Sequence, residues 1–197
     1  MTKRFRSTSV LLILGGGVLA LIASTQTWLD AVLSDTVAEP LAVAGATAVP
    51  LLAPLSLAAL ALSLALTIVG PVLRHAFGVI AIAIGVALTA SAWRIAAERP
   101  IDAVASAVTE ATGLTGAETV AALVSQITAT PWPALTVAAS LLVAAGGALT
   151  LATAHRWPGS GRRFRTESAV ENRAQGSRPH DAIDSWDDLT RGDDPTN

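Results

Sequence analysis

Four long stretches of the chain carry no ionisable side chain: residues 7–29, 40–73, 76–93 and 119–154. A soluble helix keeps a polar face, whereas a bilayer core of about 30 Å takes about 20 apolar residues to cross. The pattern therefore predicts an all-α four-helix transmembrane bundle, with spans at about 7–28, 49–73, 77–93 and 133–154. The first span, STSVLLILGGGVLALIASTQTW, follows Lys3, Arg4 and Arg6. It reads as an uncleaved signal anchor, because Ala23-Ser24-Thr25 is a poor cleavage site. Gly15-Gly16-Gly17 within it marks close helix–helix approach.

Local signals refine the other three spans. Pro50 and Pro54 sit in the first turns of the second, where a missing N–H costs little. Pro71, after Gly70, terminates or bends it. Only Arg74, His75 and Ala76 separate the second and third spans, which forces an antiparallel hairpin. In the fourth, Ala144, Gly147, Ala148 and Leu151 form a small-residue stripe suited to packing, in an ordinary bundle or in a dimer. The polar inventory of the spans is Ser56, Ser63, Thr67, Thr89, Ser91, Thr136, Ser140 and Thr150. Such hydroxyls are expected to satisfy neighbouring backbone carbonyls.

Lys and Arg near the span ends set the orientation. Lys3, Arg4 and Arg6 precede the first span, and Arg74 lies in the short turn. Arg156, Arg162, Arg163 and Arg165 follow the fourth as a juxtamembrane basic cluster able to touch anionic lipid. On the other side, loop 29–48 has Asp30, Asp35 and Glu39 and no basic residue. Loop 94–132 sets Arg94 and Arg99 against Glu98, Asp102, Glu110 and Glu118. Both termini are thus expected in the cytoplasm and the protein in the cell membrane. Trp28, Trp93, Trp132 and Trp157 fall at span ends, as an aromatic belt would.

Residues 101–128 of the second outer loop are too acidic for a fifth span. Ile101, Val104, Ala105 and Val108 follow helical spacing, Gly113 breaks the run, and Val120, Leu123, Val124 and Ile127 form the next stripe. Two short amphipathic extracytoplasmic helices are expected. Pro100 suits the first position of one helix, and Thr115 with Glu118 has capping-box spacing for the other. A lid whose Glu98 and Asp102 face a solute or proton path is the functional alternative to a solvated polar face.

Composition narrows the chemistry. Hydrophobic residues make up 52% of the 197 and charged residues 14%, against about 25% charged in soluble domains. There is no cysteine, which excludes a disulfide scaffold, cysteine-ligated zinc and iron–sulfur sites. His75, His155 and His180 are scattered, so no metal site and no cofactor is expected. A net charge of −2 suggests no nucleic-acid role.

Past Ala154 the composition changes to Arg, Ser, Gly and charge, as in a disordered linker. Residues 155–197 are expected to form a mostly disordered cytoplasmic tail with one short helix at about 185–191. Ile183, Trp186 and Leu189 recur every three residues on one face of it. Ser185 is a candidate N-cap, Gly192 a stop and Pro195 follows. A helix this short is marginal alone. Its stripe suits a groove on a partner, or a frayed tail that touches nothing.

Two cytoplasmic segments resemble a known family. Trp186-Asp187-Asp188-Leu189 with Gly192 and Asp194-Pro195-Thr196 looks like the terminal motif of the tryptophan-associated transmembrane proteins of actinobacteria. Arg156-Trp157-Pro158 with Gly161-Arg162-Arg163-Phe164 looks like the family's basic segment, in which Phe164 stands for a usual Tyr. The Thr27-Trp28 pair and the Gly45-Ala46 step are similar too. The resemblance implies four spans and a link to tryptophan biosynthesis, with no reaction, cofactor or catalytic residue. It suggests a role around tryptophan supply, and because the most motif-like residues lie outside the spans, the leading expectation is a non-enzymatic accessory membrane protein whose tail docks a cytoplasmic partner, alone or as a homo-oligomer. The alternative is transport or export of tryptophan, indole or a related solute. An integral-membrane enzyme is disfavoured, since the spans hold no His cluster and no carboxylate pair.

Overall fold

The computed structural model describes residues 2–34 and 39–153. The elements in chain order are α1 (Thr2–Ser24), β1 (Thr27–Leu33), β2 (Leu41–Ala44), α2 (Gly45–Ala48), α3 (Leu52–Ala65), α4 (Pro71–Glu98), α5 (Asp102–Thr112), α6 (Ala117–Leu123), β3 (Val124–Ala129) and α7 (Trp132–Thr153). The protein is mostly helical. Among the described residues, α1, α4 and α7 are long and apolar enough to cross a membrane, while α3 is a shorter apolar helix. At 1.5 Å per residue, α4 with its 28 residues is about 42 Å long and α3 with 14 about 21 Å.

These helices turn apolar side chains outward as well as inward. Leu11, Leu64, Val72, Val86 and Leu141 are more than half exposed, and Ile68 is 81% exposed. Water would not stabilise that surface, and lipid does. Inside, α7 packs between α1 and α4, α1 also packs on α3, and α3 meets α4 more sparsely. The interior holds Ile13, Leu52, Ala59, Leu88 and Val143.

Glycine sets the helix separations. A Cβ on Gly16 would stand 2.5 Å from the Ala139 carbonyl oxygen of α7, and one on Gly17 would stand 3.0 Å from Leu60 of α3. On α7, a Cβ on Gly146 would stand 2.7 Å from Ile13 of α1, and one on Gly147 2.8 Å from the Gly78 carbonyl of α4. Successive residues point about 100° apart on a helix, so each adjacent pair serves two neighbours at once. Of the small-residue stripe read from the sequence, Gly147, Ala144 and Leu151 meet α4, the last two at Gly85 and Gly78.

All eight span hydroxyls do what was expected of them. Ser56 donates to Leu52 O, Ser63 to Leu60 O, Thr67 to Leu64 O, Thr89 to Gly85 O and Ser91 to Ala87 O. Thr136 donates to Trp132 O, Ser140 to Thr136 O and Thr150 to Gly146 O. The Thr89 and Ser140 hydroxyls also lie 2.8 Å apart and join α4 to α7.

The structure departs from the sequence reading in five places. The first helix stops at Ser24, so Thr27 and Trp28 belong to a strand. The second helix stops at Ala65. Pro71 begins α4 as its first residue, with Gly70 as an extended N-cap, because Pro lacks the N–H that a first-turn residue does not need. Arg74 and His75 therefore lie in the first turns of α4, and the connection is 66–70. The segments between the long helices contain a three-stranded antiparallel sheet, order β2-β1-β3, where loops and the second of two short amphipathic helices were expected. Only Ala117–Leu123 of that helix forms. Val124–Ala129, with β-branched Val124, Ile127 and Thr128, pairs with β1 instead, Ile127 opposite Ala31 and Thr128 opposite Asp30. Lastly, Gly116 and not Thr115 is the N-cap of α6, with no side-chain cap bond, and Ile101 and not Pro100 adjoins α5. Gly113 ends α5 as expected, in the left-handed conformation at φ 72° that favours glycine.

Candidate functional site

The two ends of the helix assembly differ chemically. At one end Arg6 and Arg74 gather on the final carbonyls after α3. Arg6 Nη2 donates to Thr67 O, and Arg74 Nη2 donates to Val69 O at 3.2 Å. Unpaired carbonyls and the negative pole of the helix dipole favour cations at such a terminus. Arg74 is only 3% exposed, so it is a packing and capping residue, where the sequence suggested a simple loop charge.

At the other end, the sheet, α2, α5 and α6 form a cap. Trp28 is its keystone. The indole is fully buried, and its Nε1 donates to Ala23 O at 2.8 Å, taking up a carbonyl at the end of α1. The belt role expected of Trp28 is thus wrong, because the indole N–H finds a buried protein partner. Gly45 accommodates the ring: a Cβ there would stand 2.5 Å from Trp28 Nε1 and 2.9 Å from Ala23 O. Gly45 N donates to Gln26 O. Thr130 then binds the same strand, its Oγ1 donating to Thr27 O at 2.7 Å and its N to Trp28 O at 2.9 Å. Thr27-Trp28 and Gly45, separate features of the sequence, are one contact in space.

Outside this core, α5 and α6 enclose a groove of about 670 Å³, lined by Ile101, Ala105, Val120 and Ala121 with Asp102 and Glu110 among its polar groups. Pockets of about 300–1,000 Å³ are typical of small-molecule sites. The inner face of α5, Ala103, Val104 and Val108, is buried. Glu98 and Asp102 converge on Arg94, with Asp102 Oδ2 2.9 Å from Nη2 and Glu98 Oε2 3.6 Å from Nε. The three side chains are more than half exposed. They form a solvated ion network, and neither carboxylate is held towards a path through the helices. Among the described residues no three His, Asp or Glu side chains come together.

Of the tryptophans, Trp93 is 64% exposed on α4, while Trp132 opens α7 and packs against the core. Trp157, the tail stripe Ile183, Trp186 and Leu189, and the basic cluster Arg156, Arg162, Arg163 and Arg165 lie outside the described residues. Sequence reasoning missed the groove. Its apolar members Ile101, Ala105 and Val120 were legible as helix stripes, but their facing one another depends on the left-handed turn at Gly113.

The family model for tryptophan-associated transmembrane proteins matches residues 10–196. The chain belongs to this family. The match runs from inside α1 through the tail and includes both segments that carried the resemblance. No curated protein and no solved structure matches the chain. As a family member it is a transmembrane protein, and its three long apolar helices place it in a lipid bilayer.

Proposed function

We propose that this family member is a non-enzymatic accessory protein of tryptophan biosynthesis. It crosses the cell membrane four times, through α1, α3, α4 and α7, with both termini in the cytoplasm. Its tail engages a cytoplasmic protein partner through Ile183, Trp186 and Leu189, and the basic cluster Arg156, Arg162, Arg163 and Arg165 holds the start of the tail against anionic lipid.

One observation carries this reading. Where α1, α4 and α7 meet, glycines stand close against their neighbours and the span hydroxyls donate to carbonyls of their own helices, and the groove of about 290 Å³ that α4 and α7 leave beside Thr89 is almost wholly apolar. A solute path needs polar groups or an opening along it. The described part of the interior favours a fixed platform, and chemistry then falls to the two ends. This supports the accessory reading over transport of tryptophan or indole. The short α3 is compatible with four crossings, because Pro50, Leu51 and residues 66–68 extend it as turns and the bilayer thins around short spans.

The test is co-purification of cytoplasmic proteins from native membranes with the intact chain and with Trp186→Ala plus Leu189→Ala. The intact chain is expected to retain a defined partner that the double variant loses. Equal recovery by both refutes tail docking. Altered uptake or efflux of labelled tryptophan in deletion cells would restore the transport alternative.

A further inference from the structure

We infer that the groove between α5 and α6 is a binding site for a small soluble amphiphilic amine: an ammonium group on a flat apolar body. The inference stands apart from tail docking, which concerns residues 155–197.

The shape supplies the first half of the argument. The groove of about 670 Å³ is floored by Ile101, Ala105, Val120 and Ala121. Val120 is buried and anchors the α6 side of the groove, while Ile101 and Ala121 stay exposed to a ligand. Besides the two carboxylates, the remaining positions are Ser106, Thr109, Gly116 and Ala117, all short, which leaves a shallow slot. Such a surface takes an apolar body of a few rings or a short chain, which a hydrated ion would not fill.

Charge supplies the second half. Among the described residues, the ionisable side chains lining the groove are two carboxylates, Asp102 and Glu110. They stand eight residues apart on α5, about 12 Å along its axis. Asp102 is already compensated by Arg94 at 2.9 Å. Glu110 has no ion-pair partner among the described residues. It lies in the last turn of α5, where the helix dipole is negative and no basic side chain stands. One end of an apolar slot therefore carries an uncompensated negative potential. A ligand with a cation at one end and an apolar body matches both features. An anion or an uncharged body matches one at most.

The experiment uses the full-length protein in nanodiscs of phosphatidylcholine, with three probes of one shape: phenethylamine, 2-phenylethanol and 3-phenylpropionate. Affinities are read by titration calorimetry at low salt. Because Glu110 is exposed, the amine is expected to bind about twofold to fivefold tighter than the alcohol, and the carboxylate more weakly still. Glu110→Gln should bring the amine down to the level of the alcohol while leaving thermal unfolding unchanged, since Glu110 is exposed. Ala117→Phe, at an exposed groove position, should remove binding of all three without changing unfolding. Absence of binding by any probe, no preference for the amine, or a preference that survives Glu110→Gln overturns the proposal. So does amine binding that persists in Ala117→Phe. Discs containing phosphatidylethanolamine separate the two sources of an ammonium group. Loss of phenethylamine binding in those discs would assign the groove to a lipid headgroup and overturn the soluble ligand.

Discussion

Gly15, Gly16 and Gly17 allow a sharp test of how the helices are held, because three neighbouring residues of one type meet three different surroundings. Alanine adds one Cβ at each. At Gly15 nothing lies within 4 Å of that atom. Ala there should be neutral or stabilising, by up to about 1 kcal/mol from helix propensity. At Gly16 the Cβ would stand 2.5 Å from Ala139 O and 2.7 Å from Val143 Cγ2. An ordinary carbon–oxygen contact is about 3.3 Å, so α1 and α7 must part by roughly 0.8 Å. Overpacking of this kind costs about 1–3 kcal/mol. At Gly17 the nearest atoms are Leu60 Cδ2 at 3.0 Å and Cγ at 3.2 Å. A leucine side chain can move, so the cost should stay within about 1 kcal/mol. The assay is thermal unfolding of each variant in one detergent, followed by tryptophan fluorescence. Gly16→Ala should lower the midpoint by about 2–12 °C, with Gly17→Ala in between and Gly15→Ala unchanged or higher. If Gly15→Ala falls as far as Gly16→Ala, the contacts assigned to these helices are wrong.

Three further outcomes are expected. Trp28→Phe keeps most of the ring but removes the indole donor from the Ala23 carbonyl, which still accepts from Gln26 N, and should cost about 0.5–1.5 kcal/mol in the same unfolding assay; a variant as stable as the parent would refute the keystone role. Ser140→Ala removes the hydroxyl that meets Thr89 and should cost about 0.6 kcal/mol, since hydroxyl links between membrane helices are weak; a loss above about 2 kcal/mol would point to a polar network larger than this pair. The chain has no cysteine, so single cysteines report topology without background: Ser106→Cys on the cap should react with a membrane-impermeant maleimide in intact cells, and Arg162→Cys only after permeabilisation. The reverse pattern would invert the orientation.

What the sequence disclosed depended on range. The long uncharged runs marked α1, α4 and α7 because burial in lipid is a composition effect, visible in any window of about 20 residues. The second run misled at its end: residues 66–73 are as apolar as those before them, and only Gly70-Pro71 signals the break that moves Arg74 into the next helix. Gly113 was readable because a left-handed residue after an amphipathic run is a local requirement. The sheet was not. Val120, Leu123, Val124 and Ile127 fit a helical stripe, and Val124–Ala129 becomes a strand because β1, far away in the chain, offers an edge to pair with. Trp28 was misread for a related reason. An indole at a helix end suits a headgroup layer and a buried carbonyl equally well, and only the fold chooses between them. The groove was least legible of all, since no single residue in it is unusual.

The central place of β1 in the sheet has a consequence for biogenesis. One of its edges pairs with β2, made a few residues later, but the other waits for β3. Roughly 80 residues separate the end of β2 from the start of β3. At ribosomal speeds of about 5–20 residues per second, that edge stays bare for on the order of 4–16 s. In those seconds the nascent chain presents an open template for foreign strands. Arrival of β3, just ahead of α7, closes it. A chain stalled or truncated before residue 124 would thus be a membrane protein with a sticky edge, and a natural client for chaperones and quality-control proteases.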